Sequence, residues 1–85
     1  MNRKKLLRRL AQGAVQNVAF EDMTHLAKGF GFTCARISGS HNIFVHPAVP
    51  ELVNLQNAAG EAKPYQIRQF LRLVERYNLQ LEDEP

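Results

Sequence analysis

A chain of 85 residues has room for one domain, and at this size only roughly 60–65% of the surface exposed on unfolding can be buried, so a deep pocket beside a cofactor domain is excluded. Apolar residues make up 45% and charged residues 22%, which excludes a disordered chain. No apolar run reaches the ~18 residues of a membrane helix, and the one cysteine, Cys34, excludes an internal disulfide and fits a reducing, cytoplasmic setting. The net charge of +3 and pI of about 9.4 hide an uneven spread: five of the eleven Lys and Arg lie in residues 1–9, and three of the eight acids are Glu82, Asp83 and Glu84. A polyanionic partner is permitted by this balance, not demanded.

The start of the chain, Met1 to Leu10, is basic and lacks the apolar stretch of a secretion signal. Leu6, Leu7 and Leu10 against Lys4, Lys5, Arg8 and Arg9 predict a short amphipathic helix over residues 4–11 with a cationic outer face, stopped by Gly13. Such a face is either a solvated surface or a polyanion contact, and composition does not separate the two. A second helix is expected over Phe20 to Phe30. Met23, Leu26, Ala27 and Phe30 fall at i, i+3, i+4 and i+7, with Glu21 and Asp22 in the first turn and Gly31 suited to a left-handed cap.

The period then changes. Phe32 to Ile37 and His41 to His46 are two extended runs around Ser38-Gly39-Ser40, which reads as a β-hairpin. After Pro47 and Pro50, Glu51 to Gln56 alternates as a third strand, and Asn57 to Lys63 reads as a polar loop. Pro64 stands at a favoured first helical position. Ile67, Phe70, Leu71 and Val74 form the apolar stripe of a helix reaching Tyr77, with Gln66 and several Arg, Gln and Glu residues on its outer side. Residues 80–85 form an acidic tail expected to fray. The expected architecture is one α+β domain over 1–85: a three-stranded antiparallel sheet with helices on one face. Its α-β-β-β-α core is laid out like a double-stranded RNA-binding domain, with the 4–11 helix as an addition.

Three histidines and a cysteine raise the question of a metal. His41 and His46 are an odd number of residues apart, so they point to opposite faces of a regular strand. His25 lies on the polar side of its helix, and Cys34 has no partner at ligand spacing. No metal or cofactor is expected. Cys34, mid-strand, reads as a small core residue. His41 is different, because it opens a strand at the hairpin. Regular alternation groups it with Ile43 and Val45, the more apolar row, so it is expected at the rim of the core. There an imidazole can meet a ligand and serve as a general acid or base near neutral pH. A half-buried histidine satisfied by a backbone carbonyl fits the same position, and the residues alone leave both open. Ser38, Gly39 and Ser40 offer hydroxyl and N–H donors beside it. Lys63, ahead of the last helix, offers a cation at a helix start.

Gly39-Ser40-His41, followed by Ile43-Phe44 and His46-Pro47, resembles the Gly-Ser-His hairpin of HicA toxins (YcfA-like proteins). Gly29-Phe30-Gly31-Phe32 matches the Gly-Phe helix end that precedes it, and Lys63-Pro64-Tyr65-Gln66 looks like the start of the last helix in one branch of the family. The resemblance spans about residues 18–78. It implies a dsRNA-binding-like fold and translation-independent, metal-independent cleavage of mRNA through the RNA 2′-hydroxyl. The motif histidine, here His41, would be the acid–base group, with phosphate contacts from Ser38, Gly39, Ser40, Arg36 and Lys63. It also implies neutralisation by a HicB-like antitoxin. The chain departs from the family at Asn42, where many members carry a second histidine, in the polar 57–63 loop, and in the added cationic helix. A non-catalytic RNA-binding module on the same scaffold is the alternative, and His41→Ala separates the two.

Overall fold

The computed structural model describes residues 2–82. They form α1 (Arg3–Ala11), α2 (Phe20–Gly29), β1 (Thr33–Ser38), β2 (His41–His46), β3 (Val49–Ala58), β4 (Glu61–Ala62) and α3 (Pro64–Arg76). The sheet is antiparallel in the order β1-β2-β3-β4. It thus has four strands rather than the three expected. None of the described helices is long and apolar enough to cross a membrane.

Local chemistry sets the helix ends. The Asn2 side chain accepts from the Lys5 N–H at 3.1 Å to cap α1, whose Leu6 and Leu10 are buried. At the end of α2 the Phe32 N–H donates to the Ala27 carbonyl and the Gly31 N–H to Lys28, with Gly31 at φ 96°. These two reversed bonds satisfy carbonyls that the helix cannot, and only glycine adopts that φ without steric cost. They also turn Phe32 into the core, where its ring lies 5.3 Å from Phe70.

The core lies between the sheet and the helical layer. Phe44, Val53 and Leu55 of the sheet bury against Met23, Leu26 and Ala27 of α2, Ile67 and Phe70 of α3, and Leu6 and Leu10 of α1. Loss of any of these large side chains would cost about 2–5 kcal/mol. β1 lies at the sheet edge beyond this cover, and all six of its residues are exposed. Cys34 is therefore exposed, not a core residue as expected.

β4 arises within the stretch read as a loop. A two-residue turn at Ala59 (φ 53°) and Gly60 (φ 89°) reverses the chain, so that Asn57 faces Ala62 and Ala58 faces Glu61. The Asn57 carboxamide accepts the Gly60 N–H at 2.8 Å. On its other side β4 bridges Ala19, with the Ala62 N–H donating to Val18 and the Phe20 N–H to Gly60. Tertiary pairing thus holds two residues that have no strand pattern of their own.

β3 begins earlier than expected, at Val49, and includes Pro50. The register shifts between Phe44 and His46, next to this proline, and such an irregularity is where a strand tolerates a residue without an N–H. Gln66, expected on the outer side of α3, is only 2% exposed. Its Oε1 accepts the Gln56 N–H at 2.7 Å, in place of a ladder bond that β4 is too short to supply. The chain after α3 also departs from expectation: Leu81 packs on the core and the Glu82 N–H donates to the Gly29 carbonyl. The rest of the acidic tail, residues 83–85, lies outside the described residues.

Candidate active site on the open face of the sheet

The β1–β2 hairpin turns through Gly39 and Ser40, since Ser38 and His41 are directly paired. Gly39 has φ 61°. A positive φ at the first of two turn residues gives a turn whose twist suits the hairpin and selects glycine there. The Ser40 carbonyl fixes the tip by accepting from the Asn57 N–H at 2.9 Å and the Asn42 side chain at 3.2 Å.

His41 does not lie on the core side. Phe44 is the buried residue of β2, so the row Asn42, Phe44, His46 faces the helices, and His41, Ile43 and Val45 face away. Apolar content misleads because Ile43 and Val45 are only half-buried, while the single Phe44 fills the interior. His41 is consequently exposed on the side of the sheet that carries no helix.

A β-bulge brings two sequence-predicted residues to that side. Cys34 pairs with Phe44, but after a shift at Ala35 the partners are Arg36 with Ile43, Ile37 with Asn42 and Ser38 with His41. Regular alternation would have kept Cys34, Arg36 and Ser38 on one face. The extra residue turns Arg36 and Ser38 over to join His41, a re-aiming that bulges commonly perform. Directly paired residues share a face, so the open side carries a row Ser38, His41, Gln56 and beside it a row Arg36, Ile43, Asn54.

Asn54 is the residue that sequence reasoning missed. It stands diagonally from His41 on β3, and its carboxamide meets the ring at Nδ1, with Oδ1 at 3.3 Å and Nδ2 at 3.1 Å. Among the described residues no hydrogen bond reaches Nε2, which is left to the open side. Nothing local in the sequence joins positions thirteen apart. The only available signal is the pairing register of β2 and β3, which places Asn54 opposite Ile43.

The other chemistry-bearing side chains fall elsewhere. His46 is a structural clip: the Ala48 N–H donates to its Nδ1 at 3.0 Å, so the ring proton lies on Nε2, which donates to the Phe30 carbonyl at 3.0 Å. Its ring packs on Phe32 with centroids 5.0 Å apart. His41 and His46 thus point to opposite sides, as their spacing requires. Asn42 also faces the helices, so the position of a second family histidine does not border His41. Lys63 caps α3 through its backbone, one residue beyond Ala62. It sits across β3 at the His41 end of the sheet, and among the described residues no hydrogen bond joins it to His41.

The site is therefore an exposed imidazole held on one nitrogen, flanked by a hydroxyl and a guanidinium, on the open face of the sheet. Such an arrangement suits a large substrate laid across a surface more than a small enclosed one. Neither the curated proteins nor the solved structures give a significant match to the chain. A family model, described as HicA toxin of bacterial toxin-antitoxin, matches residues 20–75, which run from the first turn of α2 to the last of α3 and contain the whole hairpin. The chain belongs to the HicA toxin family, the toxins of bacterial toxin–antitoxin systems.

Proposed function

We propose that this toxin is an mRNA endonuclease in which His41 is the catalytic residue, and that a HicB-like antitoxin neutralises it by covering the open face. The observation that carries the reading is the exposed His41 ring, anchored at Nδ1 with Nε2 outward beside Ser38 and Arg36. The HicA family match over residues 20–75 and the cations Arg36 and Lys63 near His41 support RNA as the substrate.

The reaction follows from what these side chains supply. Nε2 takes the proton of the ribose 2′-hydroxyl, O2′ forms a bond to phosphorus, and the P–O5′ bond breaks. The products are a 2′,3′-cyclic phosphate and a 5′-hydroxyl, and the proton needed by O5′ returns from the imidazolium or from water. Arg36, with Lys63 and the Ser38 and Ser40 hydroxyls, offsets the charge that grows on the phosphoryl oxygens. The Gly39 turn stands clear of the rest of the protein: apart from Gly39 and its two chain neighbours, no atom of the described residues lies within 4 Å of where a Cβ of Gly39 would stand. No metal takes part, so EDTA leaves the rate unchanged. RNA in the cytoplasm is the natural target of such chemistry, and Cys34 stays reduced there.

The deciding experiment induces wild type and His41→Ala in cells and follows growth and mRNA length, then repeats cleavage with purified protein. Wild type arrests growth and shortens mRNA. His41→Ala abolishes both while its circular dichroism spectrum and melting temperature stay at wild-type values, because the exposed ring supports no core contact. Equal toxicity of His41→Ala would remove the nuclease reading and leave a non-catalytic RNA-binding module.

A further inference from the structure

We propose that Asn54 is a positioning residue for His41: it holds the Nδ1 side of the imidazole so that Nε2, carrying its lone pair, is the nitrogen presented to the substrate. The inference rests on the reading of His41 as the acid–base group, and it adds a residue on another strand to a site built from the hairpin.

An exposed histidine with no partner rotates about its side-chain bonds and exchanges its proton between two ring nitrogens. Only one tautomer, with hydrogen on Nδ1, leaves Nε2 free to accept a proton. The Asn54 carboxamide sits against Nδ1, with its oxygen at 3.3 Å and its nitrogen at 3.1 Å. Either end of the carboxamide can face the ring. Nδ2 donating to Nδ1 would put the ring proton on Nε2, whereas Oδ1 accepting from Nδ1–H, the arrangement assigned to the working enzyme, serves both states of a catalytic cycle. The neutral ring keeps its lone pair on Nε2, and the imidazolium formed after proton uptake keeps the same Nδ1–H donor in place. The nearest cross-strand neighbours of His41 on this face are Ser38 and Gln56, and neither makes a hydrogen bond to the ring among the described residues.

The choice of a carboxamide also has a chemical consequence. A carboxylate in this position would favour the charged ring and shift the working range of the base upward, whereas a neutral amide orients the ring without placing a charge beside it. The contact lies on an exposed surface, where a hydrogen bond between two side chains adds little to folding. Its effect is expected in ring orientation, not in stability.

The test uses the full chain in wild-type, Asn54→Ala, Asn54→Asp and His41→Ala forms, read in two ways. Long-range nitrogen–proton NMR of the His41 ring in the neutral form is expected to show a predominant Nδ1–H tautomer in wild type and a mixture close to free histidine in Asn54→Ala. In RNA cleavage, Asn54→Ala is expected to lower kcat about tenfold or more with KM little changed. Asn54→Asp is expected to recover much of that loss, with the acidic limb of its pH–rate profile moved to higher pH. An identical ring spectrum in wild type and Asn54→Ala, or a loss confined to KM, overturns the proposal. The reading of His41 stands or falls separately. If wild type and His41→Ala are equally inactive, the nuclease assignment is lost, while a tautomer that depends on Asn54 still supports the contact.

Discussion

Gln66 shows how one buried amide sustains the open face. Its Oε1 takes the Gln56 N–H at 2.7 Å and its Nε2 donates to the Tyr65 hydroxyl at 3.2 Å, so both ends of the amide have a partner in a residue that is 2% exposed. Gln56 is the direct partner of His41, which puts this bond one strand away from the candidate chemistry. Gln66→Leu keeps the bulk and removes the acceptor, leaving a strand N–H without a partner, at a cost of about 1–3 kcal/mol. For a chain of this size that corresponds to a fall in melting temperature of roughly 4–8 °C per kcal/mol. An unchanged melting temperature would mean that Gln56 finds another acceptor. The residue scale also divides what could be read from the chain. The hairpin position of His41 was legible because its setting is local, a glycine–serine turn followed at once by a strand, while the face of the sheet it takes was not. Gln66 and Asn54 were not, because each acts on a partner ten or thirteen positions away.

Between elements, the joint from β3 to α3 is polar. The Tyr77 hydroxyl donates to Glu51 Oε1 at 2.6 Å, and Arg76 reaches Oε2 at 3.0 Å. The Tyr77 hydrogen bond holds the Glu51 carboxyl below its ordinary value of 4.5, with Arg76 adding to this, and the same bond raises the Tyr77 hydroxyl above 10.0. A carboxylate lowered by folding contributes stability that is full above its unfolded value and is lost as pH falls through the folded one. The tyrosine acts in the opposite sense, since its contribution is full below 10.0 and is lost as pH rises through the raised value. Glu51→Gln is therefore expected to melt with less dependence on pH between about 5 and 3 than wild type does. Arg76→Ala should change little, because an ion pair this exposed is screened by water. Identical acid limbs in Glu51→Gln and wild type would show that the joint carries no such linkage. Periodicity made the three helices and three longer strands legible, since each repeats its own pattern over several residues. β4 and the bulge at Ala35 carry no pattern, and they exist because Ala19 and Phe44 lie where they do.

Across the whole molecule, the two cationic regions lie on different sides. α1 belongs to the helical layer, with Leu6 and Leu10 in the core and the Arg3 Nε donating to the His25 carbonyl of α2. Arg9 is engaged with the carbonyls of Gln16 and Asn17. The exposed charge of Lys5 and Arg8 therefore stands behind the sheet relative to His41, and α1 also precedes the stretch that matches the family, residues 20–75. If the proposed function holds, an RNA strand placed at His41 would meet Arg36 directly and Lys63 at the near end of α3, whereas α1 lies on the far side of the layer. Each phosphate contact to single-stranded RNA contributes about −0.7 to the slope of log binding constant against log salt. Measured in the His41→Ala background to prevent cleavage, Arg36→Ala and Lys63→Ala should each flatten that slope by about 0.7 and weaken binding. The double variant Lys5→Ala with Arg8→Ala should leave the slope where it was. A flattening produced by the α1 variant and not by Arg36→Ala would put the RNA on the helical side, and His41 would then be out of its reach.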